Sequence, residues 1–340
     1  MKKVILLFIM LFVFDITSGW AKGPIILKFN THHPPVSHVV KRIFEPWIEK
    51  VNKAAEGEME VRLYLGGALG KNPRQFLQMM DDGIFDISFI AASENRGALP
   101  DDLILQVPFE LRDQYESLIV GQRMFDRGAF HGYEKYKVFC YQGIGPSTIF
   151  SDYPIKVPSD LLGKKVRAPF RPQAEMLKGL GVATIDIGAP QIVESMSRGV
   201  IDAAFADIVM GKLFRVNDVA HHHLMLPFGT TSAIWLMKKD KYDSLPEKAK
   251  KALDIMSPQE ISKWKYKVEN LENEVVSELK KDPTHTLYYP TEDETRQWKE
   301  AFKPGIDFVK NELGEENFNR LLKIMREEIA NYRQEYNKAP

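Results

Sequence analysis

The sequence predicts an α/β protein of two similarly built lobes, and three features of the chain carry that expectation. A ten-residue stretch recurs, Met80-Asp81-Asp82-Gly83-Ile84-Phe85-Asp86-Ile87-Ser88-Phe89 and Met196-Ser197-Arg198-Gly199-Val200-Ile201-Asp202-Ala203-Ala204-Phe205. Each copy reads as a helix end, a left-handed glycine cap and a buried parallel strand. A strand-like run precedes each helix, residues 61–65 and 183–187, so each copy completes a β-α-β unit. Thirdly, residues 246–281 form a charged, helix-favouring segment long enough to brace two lobes, with a break expected near Ser257-Pro258.

In chain order, Lys2 and Lys3 precede an apolar run, residues 4–14, that Asp15 ends before it could span a bilayer. Gly19 and Ala21 stand two apart with one residue between them, the small-x-small pattern a signal peptidase requires, so residues 1–21 are expected to be a cleaved leader and the mature protein exported to the periplasm. Cys140 is the only cysteine, which excludes both a lipid anchor after the leader and an internal disulfide. Removing residues 1–21 takes two lysines and one aspartate, leaving 44 basic against 45 acidic side chains. That balance gives no basic stripe for nucleic acid, and no second apolar stretch is long enough to cross a membrane.

Ile25–Asn30 reads as a strand, followed by the turn Thr31-His32-His33-Pro34-Pro35. Apolar residues Val40, Ile43, Phe44, Trp47, Ile48 and Val51 then mark one face of a helix over residues 37–53. Gly66-Gly67-Ala68-Leu69-Gly70 is a turn, because it lacks the Gly-Lys-Ser/Thr ending of a phosphate loop. Residues 147–158 read as a lobe crossing. Helices over residues 292–311 and 315–336 close the chain, their regular charges reading as solvated faces. The expected division is residues 22–146 with 230–270 in the first lobe, and residues 147–229 with 271–340 in the second.

Arg167 ends a predicted strand in Lys164-Lys165-Val166-Arg167-Ala168-Pro169-Phe170. Strand ends in an open α/β lobe face the ligand crevice, where a guanidinium grips a carboxylate through two parallel hydrogen bonds; a surface salt bridge is the competing reading. The order of Asp160-Leu161-Leu162-Gly163-Lys164-Lys165-Val166-Arg167, the glycine-to-aspartate repeat, Tyr242-Asp243-Ser244-Leu245-Pro246, Leu65-Gly66-Gly67-Ala68-Leu69-Gly70, Val107-Pro108-Phe109 and Pro154-Ile155-Lys156 resembles the DctP-type receptors of tripartite ATP-independent periplasmic (TRAP) transporters. The resemblance implies a two-lobed periplasmic-binding-protein (Venus flytrap) fold with a long helix spanning both lobes. It also implies Arg167 as the partner of a substrate carboxylate, and delivery of a small organic acid to TRAP permease membrane subunits.

Two positions depart from the family pattern. Ser147 stands where many members carry a second arginine, and Asp207 where many carry proline. Asp207 would accept hydrogen bonds from substrate hydroxyls or cap a helix. With one arginine assigned, a simple C4 dicarboxylate lacks a partner for its second group; substituted monocarboxylates, sugar acids and phosphorylated polyols stay open. Strand-end reasoning adds His32, His33, Ser93, Glu94, Phe170, Phe205, Phe228 and Thr231 as cleft candidates.

His221-His222-His223 is not expected to bind metal, since consecutive side chains point apart, and a solvated helix end is the expected setting. No nucleophile elbow, dinucleotide fingerprint or cysteine–histidine pair supports an enzyme, and no cofactor is expected; Cys140 reads as buried and inert. A ligand-sensing module serving a membrane kinase would use the same cleft and is the alternative.

Overall fold

The structure, a computed structural model, describes residues 23–336 apart from Arg96, Glu269 and Asn270; the expected leader lies outside them. One sheet holds β1 (Ile25–Asn30), β2 (Met59–Tyr64), β3 (Ile87–Ala91), β4 (Tyr136–Gly143) and β10 (Ser232–Lys238), in the order β2-β1-β3-β10-β4. The other holds β5 (Thr148–Ser151), β6 (Lys165–Arg167), β7 (Ala183–Ile185), β8 (Ala203–Ala206), β9 (His222–Leu224) and β11 (Thr286–Tyr288), in the order β11-β9-β5-β8-β6-β7. β10 and β5 run antiparallel to their neighbours and the other pairs are parallel.

The recurring stretch folds the same way twice. Strands β2 and β3 flank β1, with α2 (Phe76–Asp81) between them in sequence; β7 and β8 flank β6, with α5 (Ile192–Ser197) between them. Gly83 and Gly199 take the left-handed conformation at φ +73° and +65°, which a side chain would strain. The repeated aspartates then seal the new strand to the old one. Asp86 Oδ2 accepts from the Lys28 N–H at 2.8 Å, and the Asp86 N–H donates to the Lys28 carbonyl at 3.0 Å. Asp202 does the same with Lys165, at 2.8 and 2.7 Å. The glycine-to-aspartate spacing recurs because each residue has one backbone task, performed in both lobes.

The first sheet is covered on one side by α1 (Glu45–Ala54), α7 (Lys239–Asp243) and α8 (Glu247–Leu253). Phe29, Phe44, Trp47 and Trp235 are fully buried there, Phe44 and Trp235 meeting edge-on at 5.0 Å between ring centres. Each such side chain contributes about 2–3 kcal/mol of burial. A five-residue π turn, Val40–Phe44, precedes α1 within the expected helix. On the other side stand α2, α3 (Gln114–Asp126) and the 3-10 segment Pro100–Gln106. The second sheet is sandwiched between α4 (Arg171–Gly179) with α11 (Glu292–Ala301) and α5 with α6 (Ile208–Leu213). Cys140 is buried in β4.

Two strand-like segments cross between the lobes and pair with each other: the Ser147 N–H donates to the Gly229 carbonyl at 2.8 Å, and the Phe228 N–H to the Ser147 carbonyl at 2.9 Å. The bracing segment breaks where expected. Pro258 opens α9 (Pro258–Val268), which packs on β4 and α3, while α10 (Leu271–Lys281) packs on α6 and β11. Pro304 lacks an N–H, and the expected helix over 292–311 is accordingly two, α11 and α12 (Lys303–Leu313). Gly305 brings α12 against Pro172 so closely that a Cβ would stand 2.3 Å from the Pro172 carbonyl oxygen.

The assignment of all of residues 271–340 to the second lobe needs correction. Helix α13 (Glu315–Tyr336) returns to the first: Phe318, Leu321, Met325, Ile329 and Tyr332 join the layer beneath α3. Several of its charges are engaged rather than solvated. Arg333 reaches the fully buried Glu116 at 2.8 Å, and Glu328 accepts from Arg127 at 2.7 Å.

Candidate functional site

Arg167 is the last residue of β6, where the strand ends before Pro169, and only 5 % of it is exposed. Its Nε donates to the Ile187 carbonyl at 3.1 Å and its Nη1 to the Phe205 carbonyl at 2.5 Å. Among the described residues Nη2 has no hydrogen-bond partner. Burial lowers the guanidinium to about 10, against the pull of Asp207, Asp186 and Glu94, so it stays charged at neutral pH. No described hydrogen bond joins it to any of the three. The result is a desolvated cation with its orientation fixed and one edge open, which suits an anion arriving from the cleft.

Asp207 caps α6, its Oδ1 accepting from the Met210 N–H at 2.8 Å, so the capping alternative describes its contact. Burial pushes its carboxyl up to about 6, opposed by the amides at the helix start and by Arg167. Glu94, in the 3-10 turn Ala92–Glu94, approaches from the first lobe. It is exposed at the surface, yet the surrounding protein pushes its carboxyl up, with Arg74 and Arg167 opposing and Asp186 adding to the shift. Ser93 and Thr231 meet, the Ser93 N–H donating to Thr231 Oγ1 at 3.0 Å and tying the turn to the lobe crossing. Ser147 is buried within that crossing.

His32 and His33 stack at 4.6 Å between ring centres, both edge-on to Phe89. His32 Nδ1 is buried without a partner among the described residues, and burial holds the ring neutral, down to about 4. His33 Nδ1 pairs with Thr31 Oγ1 at 2.8 Å. Phe170 is 7 % exposed and belongs to neither core layer of its lobe. Phe205 and Phe228 depart from the cleft expectation. Both are fully buried, Phe228 lying 5.3 Å from Phe205, 5.1 Å from Trp298 and 5.3 Å from Phe302 in the core. Phe205 serves the site through its carbonyl instead.

The histidine run enters a strand, β9, at His222 and is not a helix end. His223 Nε2 lies 3.0 Å from His285 Nδ1 and His221 Nδ1 2.8 Å from Asp152 Oδ1. Among the described residues no group of three or more His, Cys, Asp or Glu side chains is placed to hold a metal ion.

Three participants had no signal in the sequence. Arg74 and Asp186 meet at 2.8 Å between the lobes, a tertiary pairing that no local pattern announces. Glu272, on α10, accepts from the Gln114 N–H of the first lobe at 2.5 Å. It lines a cavity of about 480 Å³ formed by α3, the crossing segments and α10, whose lining does not include Arg167.

Comparison with known proteins gives concordant results. A solute-binding protein of Albidiferax ferrireducens is 27 % identical over 217 residues, 61 % of this chain; the chain spans only 62 % of that relative's length. A marine metagenome TRAP solute-binding protein specific for aromatic acid ligands, solved with metahydroxyphenylacetate, superposes with a TM-score of 0.80 at 24 % identity, covering 91 % of this chain and 99 % of the other. The TRAP solute-binding protein of Rhodoferax ferrireducens, solved with copurified benzoate, gives 0.79 at 23 % identity, covering 91 % and 99 %. These likenesses establish the two-lobed TRAP-receptor fold. No helix among the described residues is long and apolar enough to cross a membrane. The model of the bacterial extracellular solute-binding proteins, family 7, matches residues 29–312, and the chain belongs to that family, DctP.

Proposed function

We propose that the protein is a periplasmic receptor that seats a small carboxylate on Arg167 between its lobes and delivers it to the membrane subunits of a TRAP permease. The observation that carries this reading is the buried guanidinium with two nitrogens anchored to carbonyls and Nη2 unpaired. Its orientation is fixed before ligand arrives, so little conformational freedom is lost on binding. Phe170 and the His32–His33 stack, in which burial holds His32 neutral, supply apolar and aromatic surface, which favours an acid with an apolar body. The aromatic acids bound by the two structural relatives agree with that preference. The protein acts by binding and closure, not by bond chemistry.

Thermal-shift screening of the mature protein against benzoate, 3-hydroxybenzoate, mandelate, glucuronate and succinate tests the proposal. An aromatic or hydroxy monocarboxylate is expected to give the largest shift. Arg167→Met, with its fold checked by circular dichroism, is expected to weaken that ligand by about 10- to 100-fold, the worth of a charge-assisted pair. Full affinity in Arg167→Met, or no shift with any acid, rejects the proposal.

A further inference from the structure

The cleft brings together more charge than the ligand reading uses. Arg74 sits in the 3-10 turn Pro73–Gln75 of the first lobe, where Pro73 and the Asn72 side chain fix the backbone, the Arg74 N–H donating to Asn72 Oδ1 at 3.2 Å. Its Nη2 donates to both oxygens of Asp186, at 2.8 and 3.0 Å. Asp186 follows β7 in the second lobe and directly precedes Ile187, whose carbonyl anchors Arg167. Glu94 lies within electrostatic reach of Arg74, Arg167 and Asp186 together. Glu94 and Asp186 thus each lie within electrostatic reach of both Arg74 and Arg167, and Asp207 within reach of Arg167.

Both members of the Arg74–Asp186 pair are more than half exposed, at 58 % and 62 %, so the pair contributes little to holding the lobes shut. Its consequence is in the allocation of charge. Arg74 is a second guanidinium on the side of Arg167, tied to it through Asp186 and its neighbour Ile187, and Asp186 is its hydrogen-bond partner. A ligand with one carboxylate needs Arg167 alone. On that reading a second carboxylate would be brought toward Glu94, Asp186 and Asp207 while Arg74 is paired with Asp186; excluding one ligand by leaving its charge unpaired is an effective route to selectivity.

Resting on the assignment of Arg167 to the ligand carboxylate, we propose that Asp186 is a selectivity determinant that sequesters Arg74 and makes the cleft refuse dicarboxylates. Asp186→Asn keeps the shape and removes the charge, freeing Arg74 to meet a second carboxylate.

Calorimetric titration with benzoate and isophthalate, which share a ring and differ by one carboxylate, provides the test. Wild type is expected to favour benzoate. Asp186→Asn is expected to improve isophthalate relative to benzoate by at least about tenfold, and Asp186→Asn/Arg74→Gln to lose that gain. A ratio unchanged within twofold in Asp186→Asn, or a gain that persists in the double variant, overturns the assignment of Asp186 while benzoate binding remains sensitive to Arg167→Met. Benzoate binding that ignores Arg167→Met overturns the ligand reading itself, and no binding of either acid to wild type overturns both.

Discussion

Glu272 stands in the first turn of α10 with its carboxylate on the Gln114 N–H of the first lobe, and replacing it with glutamine isolates the effect of its charge. Burial raises the carboxyl from its ordinary 4.5 to about 7; the Gln114 N–H opposes the shift, and Asp113 and Asp207 add to it. The folded protein thus holds a proton that the unfolded chain releases. The associated stability is fully present below pH 4.5 and is lost as pH rises through about 7. A difference of that size corresponds to about 3 kcal/mol at most, and solvent in the adjoining cavity brings the expected value to about 1–2 kcal/mol. Glutamine cannot ionise yet keeps an oxygen for the Gln114 N–H. Glu272→Gln should therefore match wild type near pH 5 and exceed it by about 1–2 kcal/mol at pH 8, a few degrees in Tm. Thermal unfolding of the ligand-free protein at both pH values reads this directly. An equal difference at pH 5 and pH 8, or a glutamine variant weaker at pH 8, would refute the assignment of a raised proton affinity to Glu272.

Other perturbations probe the frame that holds the site. Asp102 is buried in the first lobe and accepts from Tyr133 and Tyr141 hydroxyls, each at 2.7 Å, and from Ser232. Asp102→Ala strands three buried donors and should cost about 3 kcal/mol or more in urea denaturation, while Asp102→Asn, which keeps an acceptor, should cost about half as much. Gly143 lies against α3 so that a Cβ would stand 2.2 Å from the Ser117 carbonyl oxygen; Gly143→Ala should lose about 2–3 kcal/mol. Gly145→Ala, whose Cβ would meet its nearest neighbour at 3.5 Å, should lose under about 1 kcal/mol in the same assay.

What the sequence made legible was whatever a residue does within its own unit. The repeated glycine and aspartate predicted two β-α-β units because their tasks, a left-handed cap and a strand seal, are local and specific to residue type. The end of β6 at Arg167 was legible because the proline two residues on stops the ladder. Residue type did not show which aromatics join the core clusters. Phe205 and Phe228 look like Phe170 in a sequence, and only the arrival of Trp298 and Phe302 from α11 and its end buries them. The return of α13 was equally silent, since its apolar stripe would cover either lobe; ion pairs such as Arg326 with Glu110 select the first. Arg74 and Asp186 lie in turns with no periodicity, and their meeting depends on how the two lobes face each other.

The route of the chain between the lobes limits how they move. Two paired strands cross, the α9–α10 segment follows, and α12, pressed to Pro172 by Gly305, hands the chain back to α13 through Gly314, which adopts φ +73°. A body hung on one strand swings and twists; one tied at four places keeps a single easy rotation. Under the proposed closure, Glu94 and Arg74 of the first lobe would meet Asp186 and Arg167 of the second. On the proposed reading, a ligand carboxylate would meet first a guanidinium already held by two carbonyls, and its other groups would be met only when the lobes close.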